Sequence, residues 1–179
     1  MLRGERLVTQ APDRFALAQV IGIAERDVLA ADANIATFSP WADAMLYEAG
    51  LRAARVIVQA AGYRIDAGAG AHVTAIDAAD AVTDRTHHTV FVRLHRMRRR
   101  LNNFICETTP DPSELDLTQA RTDVRSLIEI AKLAVETIQI PPSGTEPESF
   151  RPEPFGEITE ACDAGTYSGT YEGQIRLAP

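Results

Sequence analysis

Between positions 93 and 100 stand five arginines, Arg93, Arg96, Arg98, Arg99 and Arg100, with His95 among them and Asn102 and Cys106 close behind. These residue types handle phosphate. A guanidinium is a planar fork of donors that matches two phosphate oxygens. Imidazole accepts and donates protons near neutral pH. A thiol joins that work only where neighbouring cations lower its pKa. The chain as a whole carries a net charge of -7, so this much positive charge needs something negative opposite it. Carboxylates would serve inside the fold and phosphate outside it.

Other chemistry finds little support. The sequence contains no Walker motif, GxGxxG, HExxH or GxSxG. His72, His87, His88 and His95 show no metal-ligand spacing, and the His87–His88 pair reads as a solvated loop. Asp77, Asp80 and Asp84 read as solvent-facing. Cys106 and Cys162, the only cysteines, have no CxxC spacing and are expected to be reduced thiols. No metal and no cofactor are expected.

The elements that must position the arginines are helices. Phe91–Cys106 places Leu94, Met97, Leu101, Phe104 and Ile105 on one side of a helix. Arg93, His95, Arg96, Arg99, Arg100 and Asn103 fall on the other, and Arg98, Asn102 and Cys106 form a row along the border. Asp13 to about Asn34 is a first helix with Leu17, Ile21, Ala24 and Val28 inward and Phe15, Ala18 and Leu29 beside them. A second runs from Pro40 to about Ala61, with Ser39 as its cap, Gly62 as its stop and Trp41 as a core plug. Its alanines and Gly50 would admit a close neighbour, and Tyr47, Glu48, Arg52 and Arg55 are the polar residues nearest the packed surface.

Ala71–Val82 is a short third helix, and Asp84–His88 a polar connection. Asp111 to Glu114 supplies an N-cap, a Pro at the first position and a Glu at the third, opening a last helix that continues to about Ile138. No segment before residue 140 alternates as a strand does. The expected fold is an all-α, antiparallel bundle of about five helices over residues 1–140. Residues 141–179, rich in Pro, Gly, Ser, Thr and Glu, form an irregular tail with seven acids and two arginines, a net of -5. Tyr167, Tyr171, Ile175 and Leu177 are its candidate anchors. The opening residues have no apolar signal region, and the longest apolar stretch, Ala42–Tyr63, is interrupted by Asp43, Glu48, Arg52 and Arg55. The expected location is the cytoplasm, without membrane contact.

The order of helices, with LYEAGLRAARVIVQAAGYRI, AGAGAHVTAIDAADAV and RLHRMRRRLNNFIC, resembles the HEPN superfamily over roughly Asp13 to Ile138. That resemblance implies a small helical bundle, usually dimeric, of prokaryotic toxin–antitoxin and antiviral defence systems. Active members carry an Arg followed by a polar residue and, four to six residues beyond the Arg, a His. Two such helices meet across the dimer in a metal-independent ribonuclease site. Here Asn102 answers to the polar residue, but Leu101 stands directly before it where the Arg belongs and Cys106 occupies the His position; at a looser spacing Arg100 supplies the Arg, and His95 is the only imidazole on that side.

The resemblance therefore implies a non-catalytic or weakly catalytic component that homodimerises through its second and fourth helices. Its groove of Arg96, Arg99, Arg100 and Asn102, with Arg98 beside them, would contact RNA or a nucleotide. Glu48 would face the basic helix, and the acidic tail would cover the groove or dock an antitoxin or defence-complex partner. Two alternatives stand beside this reading. One is an active ribonuclease toxin using Arg100, Asn102 and His95 or Cys106. The other is a protein-interaction module whose arginines pair only with a partner's carboxylates.

Overall fold

A computed structural model describes residues 7–106 and 111–138, for residues 103–106 the backbone alone. Five helices make up nearly all of it: α1 Arg14–Asn34, α2 Ser39–Ala60, α3 Ala71–Val82, α4 His88–Cys106 and α5 Glu114–Glu136. The fold is an all-α bundle. The tail with its anchors and Cys162 lie outside the described residues.

α2 is the axis of the bundle, since α1, α3, α4 and α5 all pack on it. Its sequence fits it for that place. Ala42, Leu46, Ala49, Ala53, Val56 and Ile57 are buried on one side, and Leu51, Ala54 and Val58 on another. Small residues let neighbours close in from both directions. At Gly50 an added Cβ would sit 2.8 Å from Leu94 Cδ1 of α4 and 3.3 Å from Val124 Cγ2 of α5, so two helices meet the axis at this one residue. α1 contributes Leu17, Ile21, Ala24, Val28 and Ala31, and α5 Leu117, Ala120, Val124, Leu127, Ile128, Ala131 and Val135. Full burial of each such Leu, Ile or Val adds about 2 kcal/mol.

The helix ends show where local sequence was misread. Asp13 caps α1, its carboxylate accepting from Ala16 N at 3.0 Å. Gly62 follows α2 with φ +89°, the left-handed geometry of a helix stop, and its carbonyl accepts from Gln10 N. Ser39, however, is the first helical residue and not the cap; the cap position holds Phe38, which makes no side-chain bond. α5 begins two residues later than DPSE suggests. Ser113 is its N-cap, accepting from Asp116 N while the Asp116 carboxylate accepts from Ser113 N, so the capping box runs from 113 to 116.

α4 starts at His88, taking in residues expected in a connection, after a turn in which Asp84 and Arg85 adopt positive φ. A two-stranded antiparallel ribbon pairs Leu7–Thr9 with Tyr63–Ile65, Leu7 opposite Ile65. Three residues are too few to reveal a period of two, so no alternation marks the ribbon in the sequence.

Four side chains sit on the opposite side from that expected. Trp41 is 57% exposed and leans on Phe38, because it heads the outward strip of α2 and not the row of Ala42 and Leu46. Phe15 and Leu29 are exposed, the buried stripe of α1 being only one residue wide per turn. Asp80 is buried, not solvent-facing, and lies 2.7 Å from His88 Nδ1, with Arg85 at 3.9 Å.

Candidate functional site

The arginines of α4 divide into two sets by the carboxylates that α2 and α5 bring to them. Phe91, Leu94 and Met97 fix the helix against the core. Arg93, one position before Leu94, is thereby aimed at α5. Its Nε and Nη2 donate to Asp123 at 2.6 and 2.8 Å, and Gln119 donates to the same carboxylate. Asp123 is buried, so this is a two-point ion pair in a low-dielectric setting. Two turns on, Arg100 lies on the same side. Nε and Nη2 donate to Asp43 of α2 at 3.0 and 2.8 Å, and Nη1 donates to Asp116 of α5 at 2.9 Å.

These partners are felt electrostatically. Burial pulls Arg100 toward losing its proton, but the hydrogen bonds and charges of Asp43 and Asp116 outweigh that and raise its pKa. The Ser113 hydroxyl holds Asp116 below the usual carboxylate range, against the opposing desolvation and with smaller help from the Ser113 amide and the Arg100 cation. Arg100 thus ties α2, α4 and α5 together, with its Nε and both terminal nitrogens engaged. Between α4 and α5 a small groove of about 120 Å³ is walled by these paired groups, with Arg96 at its edge.

The second set has no such partners. Arg96, Arg98 and Arg99 make no hydrogen bond and no ion pair with any described residue. Arg96 and Arg99 are exposed, and so is Asn102. Arg98 is half-buried, and its Nε is fully shielded from water without an acceptor.

His95 faces α3, where Nε2 lies 2.9 Å from Asp77 Oδ1. It is on the side of α4 that carries Asn102, but about 140° round the helix from Arg100, by five steps of about 100° each. Arg100 and His95 are therefore not brought together as a catalytic pair within the chain. The Cys106 side chain lies outside the described atoms. Glu48 lies 3.8 Å from Arg52, itself 2.6 Å from Asp27 of α1, so the described ion pair of Glu48 is on its own helix and not with α4.

Sequence reasoning missed Asp43 and Asp123, the acids that do face the basic helix. The signal was present: each is a lone charge in an inward row, Asp43 ahead of Leu46 and Gly50, Asp123 between Ala120 and Leu127. Tyr47, expected near the packed surface, is buried there, and the partner that sequence reasoning missed is His72, whose Nδ1 lies 2.9 Å from the Tyr47 hydroxyl in a hydrogen bond. Desolvation, then the Glu48 charge, raise the Tyr47 pKa to about 12, while Arg98 and Arg55 pull it back.

Among the described residues no group of His, Cys, Asp or Glu could hold a metal ion, and no helix is long and apolar enough to cross a membrane. Compared with known proteins, the chain matches no protein-family model, no curated protein and no solved structure.

Proposed function

We propose that this chain is a HEPN-like bundle that binds RNA or a nucleotide without cleaving it, acting as a homodimeric component of a prokaryotic toxin–antitoxin or defence system. The observation that carries the binding is the division of the arginines. Arg96 and Arg99, with Asn102 beyond them, are exposed cations and a polar side chain left over after the fold has used Arg93 and Arg100. An exposed, unpaired guanidinium is free to displace counterions from a phosphate backbone. The absence of cleavage is supported by the same division. Arg100, the arginine that the resemblance assigns to catalysis, donates through three nitrogens to Asp43 and Asp116, and His95 is turned toward Asp77. A cation already neutralised by two carboxylates is a weak stabiliser of charge developing on phosphate.

The purified chain, mixed with a total RNA pool, is expected to retard RNA and leave it intact. The Arg96→Gln/Arg99→Gln variant is expected to melt like the parent and to retard RNA more weakly. Cleaved RNA, with cleavage lost in Arg100→Ala at temperatures where that variant is folded, would replace this reading with the ribonuclease one. No retardation by the parent would leave the protein-interaction module, and retardation unaffected by Arg96→Gln/Arg99→Gln would place RNA elsewhere than on these two arginines.

A further inference from the structure

α2, which the resemblance offers as half of a dimer seam, has a single exposed residue, Trp41, because four helices already wrap it. A second copy would find little surface there. The outer flank of α1 and α5 offers more. An open groove of about 420 Å³ runs along it, lined by Glu25, Val28 and Leu29 of α1 and by Arg125, Ile128 and Glu129 of α5. Val28 and Ile128 are buried and make its floor, while Leu29, 65% exposed, stands on its wall. A bare aliphatic side chain beside an apolar hollow leaves burial energy that a covering surface would recover.

Charge is arranged on either side of Leu29 in two clusters. In one, Lys132 lies 2.8 Å from both Glu25 and Glu129, one cation for two acids. In the other, Asp32 lies 3.4 Å from Arg121 and 3.0 Å from Arg125, one acid for two cations. The clusters stand seven residues apart on α1, about 10 Å along its axis, with Leu29 between Glu25 and Asp32. Arg26 and Glu136, the exposed charges flanking the first cluster in sequence, are of opposite sign and leave its surplus as it is. The groove thus ends in a surplus carboxylate on one side and a surplus guanidinium on the other.

We propose that this groove is the seam of a homodimer, covered by the same groove of a second copy across a two-fold axis at Leu29. A two-fold contact sets one patch against itself. With the axis lying across the groove, the acid-rich end of each copy meets the arginine-rich end of the other, and the two Leu29 side chains meet over the apolar floor. With the axis lying along the groove, like ends would face each other and repel, so the charges select the first arrangement. This gives the homodimer proposed above its surface, and it leaves the ridge of Arg96 and Arg99 open. Among the described residues α1 does not pack on α4, and Asp123, which faces α4, lies about 160° round α5 from Arg125. A dimer of this kind presents two ridges to one RNA strand. RNA binding by a monomer, or a dimer indifferent to RNA, would separate the two claims.

The test is sedimentation equilibrium of the full chain at low salt, where a dimer is expected in the micromolar range. Leu29→Asp brings two carboxylates together at the axis and is expected to give a monomer with the helical circular dichroism of the parent. Arg125→Glu and Glu129→Arg each set like charges against one another at both contacts, and each alone is expected to weaken the dimer at least tenfold. Mixed in equal amounts, the two variants regain opposite charges at both contacts, and a heterodimer about as tight as the parent is expected. That rescue also shows that both variants fold. A parent chain that stays monomeric throughout the micromolar range overturns the proposal and leaves the groove to a different protein. A dimer that Leu29→Asp leaves intact overturns it too, keeping the homodimer but moving its seam. So does a mixture of the charge variants that restores nothing.

Discussion

Arg100 and Arg99 are neighbours in sequence with opposite duties, and substitution should separate them. Removing Arg100 leaves Asp43, only 6% exposed, without its cation. Arg100→Ala should therefore cost about 3 kcal/mol, the order expected when one partner of a buried pair is deleted. Arg96→Gln and Arg99→Gln touch no described partner and should each stay within about 0.5 kcal/mol of the parent. Urea unfolding of the three variants checks both statements. Tyr47 offers a test by pH. Its phenol is held neutral, with a pKa near 12 against 10 in the unfolded chain. Below pH 10 both states are protonated and its contribution is constant. Between pH 10 and 12 the unfolded tyrosine ionises while the folded one resists, so stability falls, by about 2–3 kcal/mol in full. Tyr47→Phe should lose about 1 kcal/mol at neutral pH with the His72 hydrogen bond, and should decline less steeply than the parent over that alkaline range.

At the level of the helices, Gly50 is the residue on which close packing depends. A methyl group there would press on Leu94 and Val124, both buried, while the helix itself would gain roughly 1 kcal/mol from losing a glycine. Overpacking in a filled core typically costs 1–3 kcal/mol, so Gly50→Ala should lower stability by about 1 kcal/mol net. A higher melting temperature would mean that α4 can move off the axis. The helices themselves were legible in the sequence because their apolar rows repeat every three to four residues over three turns or more, as in Leu17, Ile21, Ala24 and Val28. Caps were less so: Ser39 and Asp111 have the right chemistry one or two residues from the right place, and only the backbone decides which oxygen meets an orphan amide. The phase of Trp41 was lost for a related reason. A bulky aromatic at a helix start suggests burial, yet the row of alanines beside it was already filling the space.

In the molecule as a whole, charge is partitioned in a way that sequence could only half reveal. That the basic helix needed acids was plain from composition. Which acids was not, because Asp43 and Asp123 come from elements 57 and 30 residues away from the arginines they hold. Glu48 was the more visible acid and pairs on its own helix instead. The consequence is a bundle whose internal pairs consume two arginines of α4 and leave a ridge of two others facing solvent. If that ridge holds a phosphate backbone, it does so by counterion release, and each phosphate contact on a single strand contributes about -0.7 to the slope of log affinity against log salt. The most direct measurement is that slope for a single-stranded RNA, taken for the parent and for Arg96→Gln/Arg99→Gln. A slope shallower by about 1.4 in the double variant, with unchanged melting, is the predicted result. Identical slopes, or no RNA bound by the parent at low salt, would contradict it.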